Sequence, residues 1–309
     1  MANEISWATL ETDAGLAHYL MEGIHENLYD PTDLRAVMTR RPWSDNMGSE
    51  TGKVTKVSMS HSFAAASTEI SGGASNESIG SGNFQLNPTR RTQKWQVSDL
   101  WRKCAVNGSI DLDLLARIVA IGTGLTATDM LCALFASLAT TAGSATAQMS
   151  VDFAYDAQYK LNLALANGPY RLILATHPFN KFQDSLRGEG GALQFVAATA
   201  DMLSLRGPGY KGMFGTTEVW DTDSAPLDGG STYRQMAMIA EGCFEYTEAP
   251  PADVSDALPS NVIKIVDGLV RMVHTYSGET TLTTIDADYY PSVVEAEDLR
   301  GVYISALAA

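Results

Sequence analysis

The sequence predicts an α+β fold. Two observations carry the prediction: helix-period apolar spacings cluster between residues 110 and 206, and from Lys211 onward the chain reads mainly as strands and turns. A third is a pair of alternating apolar runs flanking a Gly/Ser-rich stretch before residue 103, the pattern of a β-ribbon.

Residues 1–47 begin with one expected helix, near Trp7 to Leu28. The following YDPTDLRAVMTRRPWSDNMG has charges, two prolines and little periodicity, so it reads as an extended arm that cannot bury itself alone. Residues 48–103 form the ribbon. Val57, Met59, His61 and Phe63 alternate on the way out, residues 64–83 make a flexible Gly/Ser-rich tip, and Phe84/Leu86 and Trp95/Val97 alternate on the return. Pro88 cannot donate to a ladder, so the return strand is expected at an edge or with a bulge. A ribbon this long is marginal in water and needs a surface to lie on.

Residues 104–150 read as helical. Leu114/Ile118 and Leu115/Val119 stand at i, i+4, with Asp111 and Asp113 where the helix dipole favours acids. Thr126 and Asp129 have capping-box spacing and predict a second start. Residues 151–262 open with a helix whose Phe153, Ala157 and Leu161 share a face, stopped by Asn167-Gly168. Tyr170–Thr176 predicts a short buried strand, and Phe179, Phe182 and Leu186 a helix stopped by Gly188. Leu193, Val196, Ala200 and Leu203 predict another, stopped by Gly207. Strands close the chain over 263–309, including TLTTIDADYY and RGVYISALA.

The formal charge of −15 is unevenly spread. Arg35 to Lys103 holds ten basic and five acidic residues, a net of +5, whereas Glu218 to Ala309 holds four basic and sixteen acidic, a net of −12. Such acidity argues against gripping nucleic acid, whose affinity comes from phosphate neutralisation. The asymmetry fits a positive segment of one copy lying on a negative surface of the next, or two solvated faces. No run of 18 consecutive apolar residues indicates a membrane span, and the N-terminus lacks the basic n-region of a secretory signal. Cys104, Cys132 and Cys243 lack metal-site spacing and read as buried thiols.

Three groups invite a chemical reading. RIVAIGTGLTA spells G-x-G-x-x-A at Gly122, Gly124 and Ala127, the form of a dinucleotide turn. Against it, the preceding spacing is helical, and Asp152 lies 28 residues beyond Gly124 rather than the usual ~20. His177 has no nucleophile motif beside it, and Pro178 pushes it toward an extended joint between strand and helix, as a satisfied structural histidine. The carboxylates of WDTDSAPLDGG and DADYYPSVVEAED match no calcium-loop spacing and read as solvated turns. No catalytic, cofactor or metal site is expected. The basic stripe Arg90, Arg91, Lys94, Arg102 and Lys103, interleaved with Trp95 and Trp101, suits either single-stranded nucleic acid or an acidic neighbour, and the acidic remainder favours the neighbour. Arg90, Arg91, Lys94, Trp95, Arg102 and Lys103 are therefore the expected subunit-interface residues.

The order of these parts resembles the major capsid proteins of tailed bacteriophages, the HK97-like fold. NGPYRLILATHPFNKFQDSL is similar to the family's strand, His/Pro turn and helix; GMFGTTEVWDTDSAP resembles its G-x-x-V strand and exposed loop; TLTTIDADYYPSVVEAEDLRGVYI looks like its closing β-segment. The resemblance makes the ribbon an E-loop and residues 104–150 the spine-helix region of a peripheral domain, although AIGTGL interrupts that helix. It makes 151–262 mainly the axial domain, with 263–309 shared between the two. It implies self-assembly into hexamers and pentamers of an icosahedral shell around double-stranded DNA that is held without sequence-specific binding, in a virion assembled in the host cytoplasm. A separate scaffolding protein, a portal and a decoration protein are the further partners it implies, with no membrane. The alternatives are an encapsulin-like compartment shell and a nucleotide-binding enzyme using the Gly122-x-Gly124 turn.

Overall fold

A computed structural model describes residues 33–43, 54–58, 80–98, 112–166, 168–188, 195–207, 209–230, 232–250, 262–266, 270–277 and 282–308. The expected helix at Trp7–Leu28, ribbon residues 59–79 with Met59, His61 and Phe63, and Arg102, Lys103 and Cys104 lie outside these residues, whereas Gly80–Asn83 of the expected tip are strand.

The centre is a seven-stranded mixed sheet in the order β5 (Thr141–Gly143), β16 (Gly301–Leu307), β10 (Tyr233–Ile239), β6 (Tyr170–Leu174), β9 (Thr217–Asp221), β8 (Tyr210–Phe214), β7 (Phe195–Ala197). The predicted run at Tyr170 becomes β6, parallel to β9 and antiparallel to β10. Its alternation divides two cores. Leu172 and Leu174 enter one with α2 (Val151–Leu163) and α3 (Thr176–Gly188), whereas Ile173 enters the other with Leu34, Leu131, Phe135 and Trp220. On α2, Ala157 and Leu161 are buried, as their spacing predicts. Phe179, Phe182 and Leu186 are the buried stripe of α3.

Three local expectations are corrected. Helix α2 ends before Asn167-Gly168: Leu165 takes the left-handed conformation at φ 55°, its N–H bonds Asn162 O and that of Ala166 bonds Leu161 O, closing a Schellman turn without glycine. His177 sits inside the first turn of α3 rather than in an extended joint, and its buried Nδ1 has no hydrogen-bond partner among the described residues. Val196 lies in β7, and among the described residues of that expected helix only Ala200–Arg206 (α4) is helical before Gly207; Leu193 lies outside the described residues.

α1 is one helix, Leu112–Ala133, running through AIGTGL and the expected capping box. Thr123 Oγ1 donates to Ala120 O and Thr126 Oγ1 to Gly122 O, so both threonines bond back along the helix rather than starting a new one. Gly124 is there for proximity: a Cβ would stand 3.0 Å from Asp33 Cγ, at the root of the N-terminal arm. Over Ile118–Ser137 the chain is long and apolar enough to cross a membrane, with mean hydropathy 1.7, and 44% of that window is buried inside the chain. The expectation from consecutive apolar residues missed this because Gly122–Gly124 and Asp129 interrupt the run. Val119, Ala127, Leu131, Cys132 and Phe135 account for much of the apolarity by packing inward.

Two smaller sheets flank the centre. β1 (Thr39–Arg40), β11 (Phe244–Glu248) and β15 (Pro291–Glu295) form one; β12 (Val262–Val266), β13 (Val270–Ser277), β14 (Leu282–Tyr289) and β4 (Arg91–Ser98) form the other. The expected return strand is divided between two partners. β2 (Val54–Ser58) pairs with β3 (Gly80–Phe84), but β4 leaves it to pair with β14. Alternation identified Trp95/Val97 as strand; it could not identify the partner. Cys132 and Cys243 are buried thiols, as expected, and burial pushes the Cys132 thiol up.

Candidate assembly interface

The described parts of the N-terminal arm and of the ribbon are both rooted on the chain itself. The arm does not stay unburied as expected. Leu34, Val37 and Met38 enter the second core, and Leu34 N donates to Thr128 Oγ1 of α1 at 3.0 Å. Asp33 caps the short 3₁₀ turn Leu34–Val37 by accepting from Arg35 N. Arg41 lies over the Phe84 ring at 5.5 Å, tying the arm to the ribbon base, and Leu86 just beyond is fully buried.

Buried carboxylates hold these roots. Glu248 on β11, with only 2% of its side chain exposed, pairs with Arg35 at 3.0 Å and Arg40 at 3.7 Å and accepts from Tyr289 Oη. Glu245 takes Arg41. A buried carboxylate left alone would be costly, so each acts as a fixed socket for an arginine of the arm.

The expected interface residues separate. Arg90 is bound within its own chain: its Nε and Nη2 reach the two oxygens of Asp288 at 2.9 and 3.1 Å, joined there by Thr92 Oγ1 and Arg271 Nη2, both at 2.8 Å. Burial acts to raise the Asp288 carboxyl, but the bonds from Arg90, Arg271 and Thr92 outweigh it and hold it below the usual carboxylate range. Lys94 faces Asp286 across the ladder, with Nζ–Oδ1 3.8 Å. Part of the charge asymmetry is thus settled inside one chain, by opposite charges on paired strands. Arg91 differs: it is exposed, has no ion pair among the described residues and borders an open groove of about 520 Å³ between β4 and α1. Trp95 is half-buried in the same strand.

The chemical alternatives fare differently. Gly122 and Gly124 lie within α1, where backbone N–H groups serve the helix ladder and cannot cradle a pyrophosphate; the nucleotide reading is corrected on that ground. The solvated-turn reading is corrected too. Asp288 and Asp221 are buried, Asp221 accepting from Thr176 Oγ1 at 2.9 Å with its carboxyl raised by burial. Asp228, by contrast, stays at the surface and organises its own loop by accepting from Gly230, Thr232 and Tyr233 N–H groups. Sequence reasoning missed Glu245, Glu248 and Glu218. Their signal is acids placed in apolar β-runs, FEYTE and TEVWD.

No protein-family model and no curated protein matches the sequence. Solved structures do. The head of Helicobacter pylori bacteriophage KHP40 matches with TM-score 0.63 at 8% identity, over 91% of this chain and 92% of that one. The capsid of Ralstonia phage GP4 matches with TM-score 0.58 at 8% identity, over 91% and 92%. The SrpI encapsulin of Synechococcus elongatus PCC 7942 matches with TM-score 0.56 at 9% identity, over 88% and 85%. The chain has the HK97-like fold of these shells.

Proposed function

We propose that this chain is the major capsid protein of a tailed bacteriophage. It assembles into hexamers and pentamers that close into an icosahedral shell around double-stranded DNA, in a virion built in the host cytoplasm. The observation that carries the reading is the likeness to phage heads over nine-tenths of both chains. Many modest contacts, repeated over a lattice, supply the stability, and one chain must accept slightly different neighbour angles. The ribbon and the arm extend over adjacent copies. Arg91, exposed at the start of β4, is the cation that meets an acidic neighbour, and Trp95, Arg102 and Lys103 belong to the same contact. Net acidity lets packaged DNA slide without sticking. A scaffold, a portal and a decoration protein complete the set of partners.

Expression followed by negative-stain microscopy tests the reading, and closed shells of uniform diameter are the expected result. Soluble monomers at every concentration, with or without a co-expressed scaffold, would refute it. The encapsulin likeness supports a second reading, a shell around protein cargo. Nuclease-protected DNA in purified shells selects the first; a co-purifying enzyme without DNA selects the second.

A further inference from the structure

Two apolar patches lie on opposite faces of the seven-stranded sheet. The first is the outward face of α2. Tyr159 and Leu163, 60% and 65% exposed, continue the line of Tyr155, whose ring rests on Phe214, and Leu165 extends it into the following turn. The inward face of α2, through Ala157 and Leu161, belongs to the first core. The second patch is the β7–α4 segment, with Val196, Met202, Leu203 and Leu205; Leu205 is 86% exposed, and α4 buries none of its residues.

The second patch is on the other side of the sheet. Arg206 at the end of α4 lies over the Tyr210 ring at 5.0 Å and pairs with Glu218; Tyr210 belongs to the second core. Val196 stands opposite Met213, which packs against that same core.

The areas match what an interface needs. With a large side chain presenting about 200 Å², each patch offers roughly 450 Å² of apolar surface. A standard interface takes about 800 Å² from each partner, a little over half of it apolar. One patch of this size is ordinary on a monomer; two exceed it. Leu165 adds a backbone argument. Its left-handed conformation costs the fold about 1 kcal/mol relative to glycine, while 59% of the residue stays exposed.

The patches cannot cover each other within one chain, being on opposite faces. A two-fold contact would use one and leave the other bare. A head-to-tail contact uses both in every copy, and it closes into a ring when its rotation divides a full turn, as a shell capsomer requires. We propose that the Tyr159–Leu163 face of α2 in one copy docks on the β7–α4 segment of the next. This rests on the shell-forming reading and adds which surfaces join neighbours within a ring.

The test is site-directed cross-linking. Chains carrying Tyr159→Cys and chains carrying Leu205→Cys, distinguishable by mass, are co-assembled and oxidised, and the linked peptides are mapped by mass spectrometry. A Y159C–L205C link between chains, present in particles and absent from unassembled subunits, is expected. Leu205→Asp, at an exposed position, should leave subunit unfolding unchanged and cut particle yield about tenfold, as loss of about 1.4 kcal/mol per contact would. Particles that form without that link, or that give only L205C–L205C links, overturn the docking proposal and leave the shell reading standing. A chain that forms no particle under any condition overturns both.

Discussion

Gly122 and Gly124 stand two residues apart in α1, and replacing them should move stability in opposite directions. A Cβ at Gly122 meets nothing nearer than Gln93 Oε1 at 3.6 Å, an ordinary contact. Gly122→Ala therefore gains the helix-propensity difference of about 1 kcal/mol, roughly 2 °C in Tm for a chain of this size. A Cβ at Gly124 meets Asp33 Cγ at 3.0 Å and Oδ2 at 3.1 Å. Asp33 cannot easily retreat, because it accepts from Arg35 N at 2.9 Å and from Arg35 Nη2 at 2.7 Å. Gly124→Val adds two further carbons at that contact. Overpacking of about 1–3 kcal/mol outweighs a propensity gain of about 0.5 kcal/mol, leaving a net loss of about 0.5–2.5 kcal/mol. Thermal unfolding of unassembled subunits reads the global effect, and hydrogen exchange at Leu34–Met38 reads the loosened arm root. Equal stabilisation by both variants would refute the arm-against-helix contact. Destabilisation by Gly122→Ala would refute the continuous helix and return the segment to a glycine-dependent turn.

Other expectations follow from the same interactions. Asp288→Asn should cost about 2 kcal/mol at pH 7 by leaving Arg271 and Arg90 facing a neutral amide. Because the folded-state carboxyl is lowered, its contribution is fully present above the unfolded value of about 3.9 and is lost as pH falls through the lower folded value; the gap between wild type and D288N in urea unfolding should close there. Arg91→Glu should leave subunit unfolding unchanged and reduce shell yield, whereas Arg90→Glu should destabilise the subunit itself, since it faces buried Asp288; calorimetry and particle counts on the same preparations separate the two. Leu165→Gly should stabilise the unassembled subunit by about 1 kcal/mol, read in urea, by relieving the left-handed leucine.

The sequence by itself determined the elements whose signal is local. The spacing of Ala157 and Leu161 specifies α2, the bounded apolar run at Tyr170 specifies β6, and Phe179, Phe182 and Leu186 specify α3, because a 3.6- or two-residue period is written in consecutive residues. The order of those elements was enough to suggest the HK97-like fold. Tertiary structure alone decided partners far apart in the chain. Trp95 and Lys94 read as ribbon until β4 is seen against β14, and Arg90 reads as an interface cation until Asp288, 198 residues on, is seen beneath it. Gly124 read as a helix break because sequence shows only the missing side chain, not Asp33 occupying its space. Local period costs the chain nothing to encode, whereas strand partner, charge partner and close approach depend on which distant segments are brought together, and folding supplies that information.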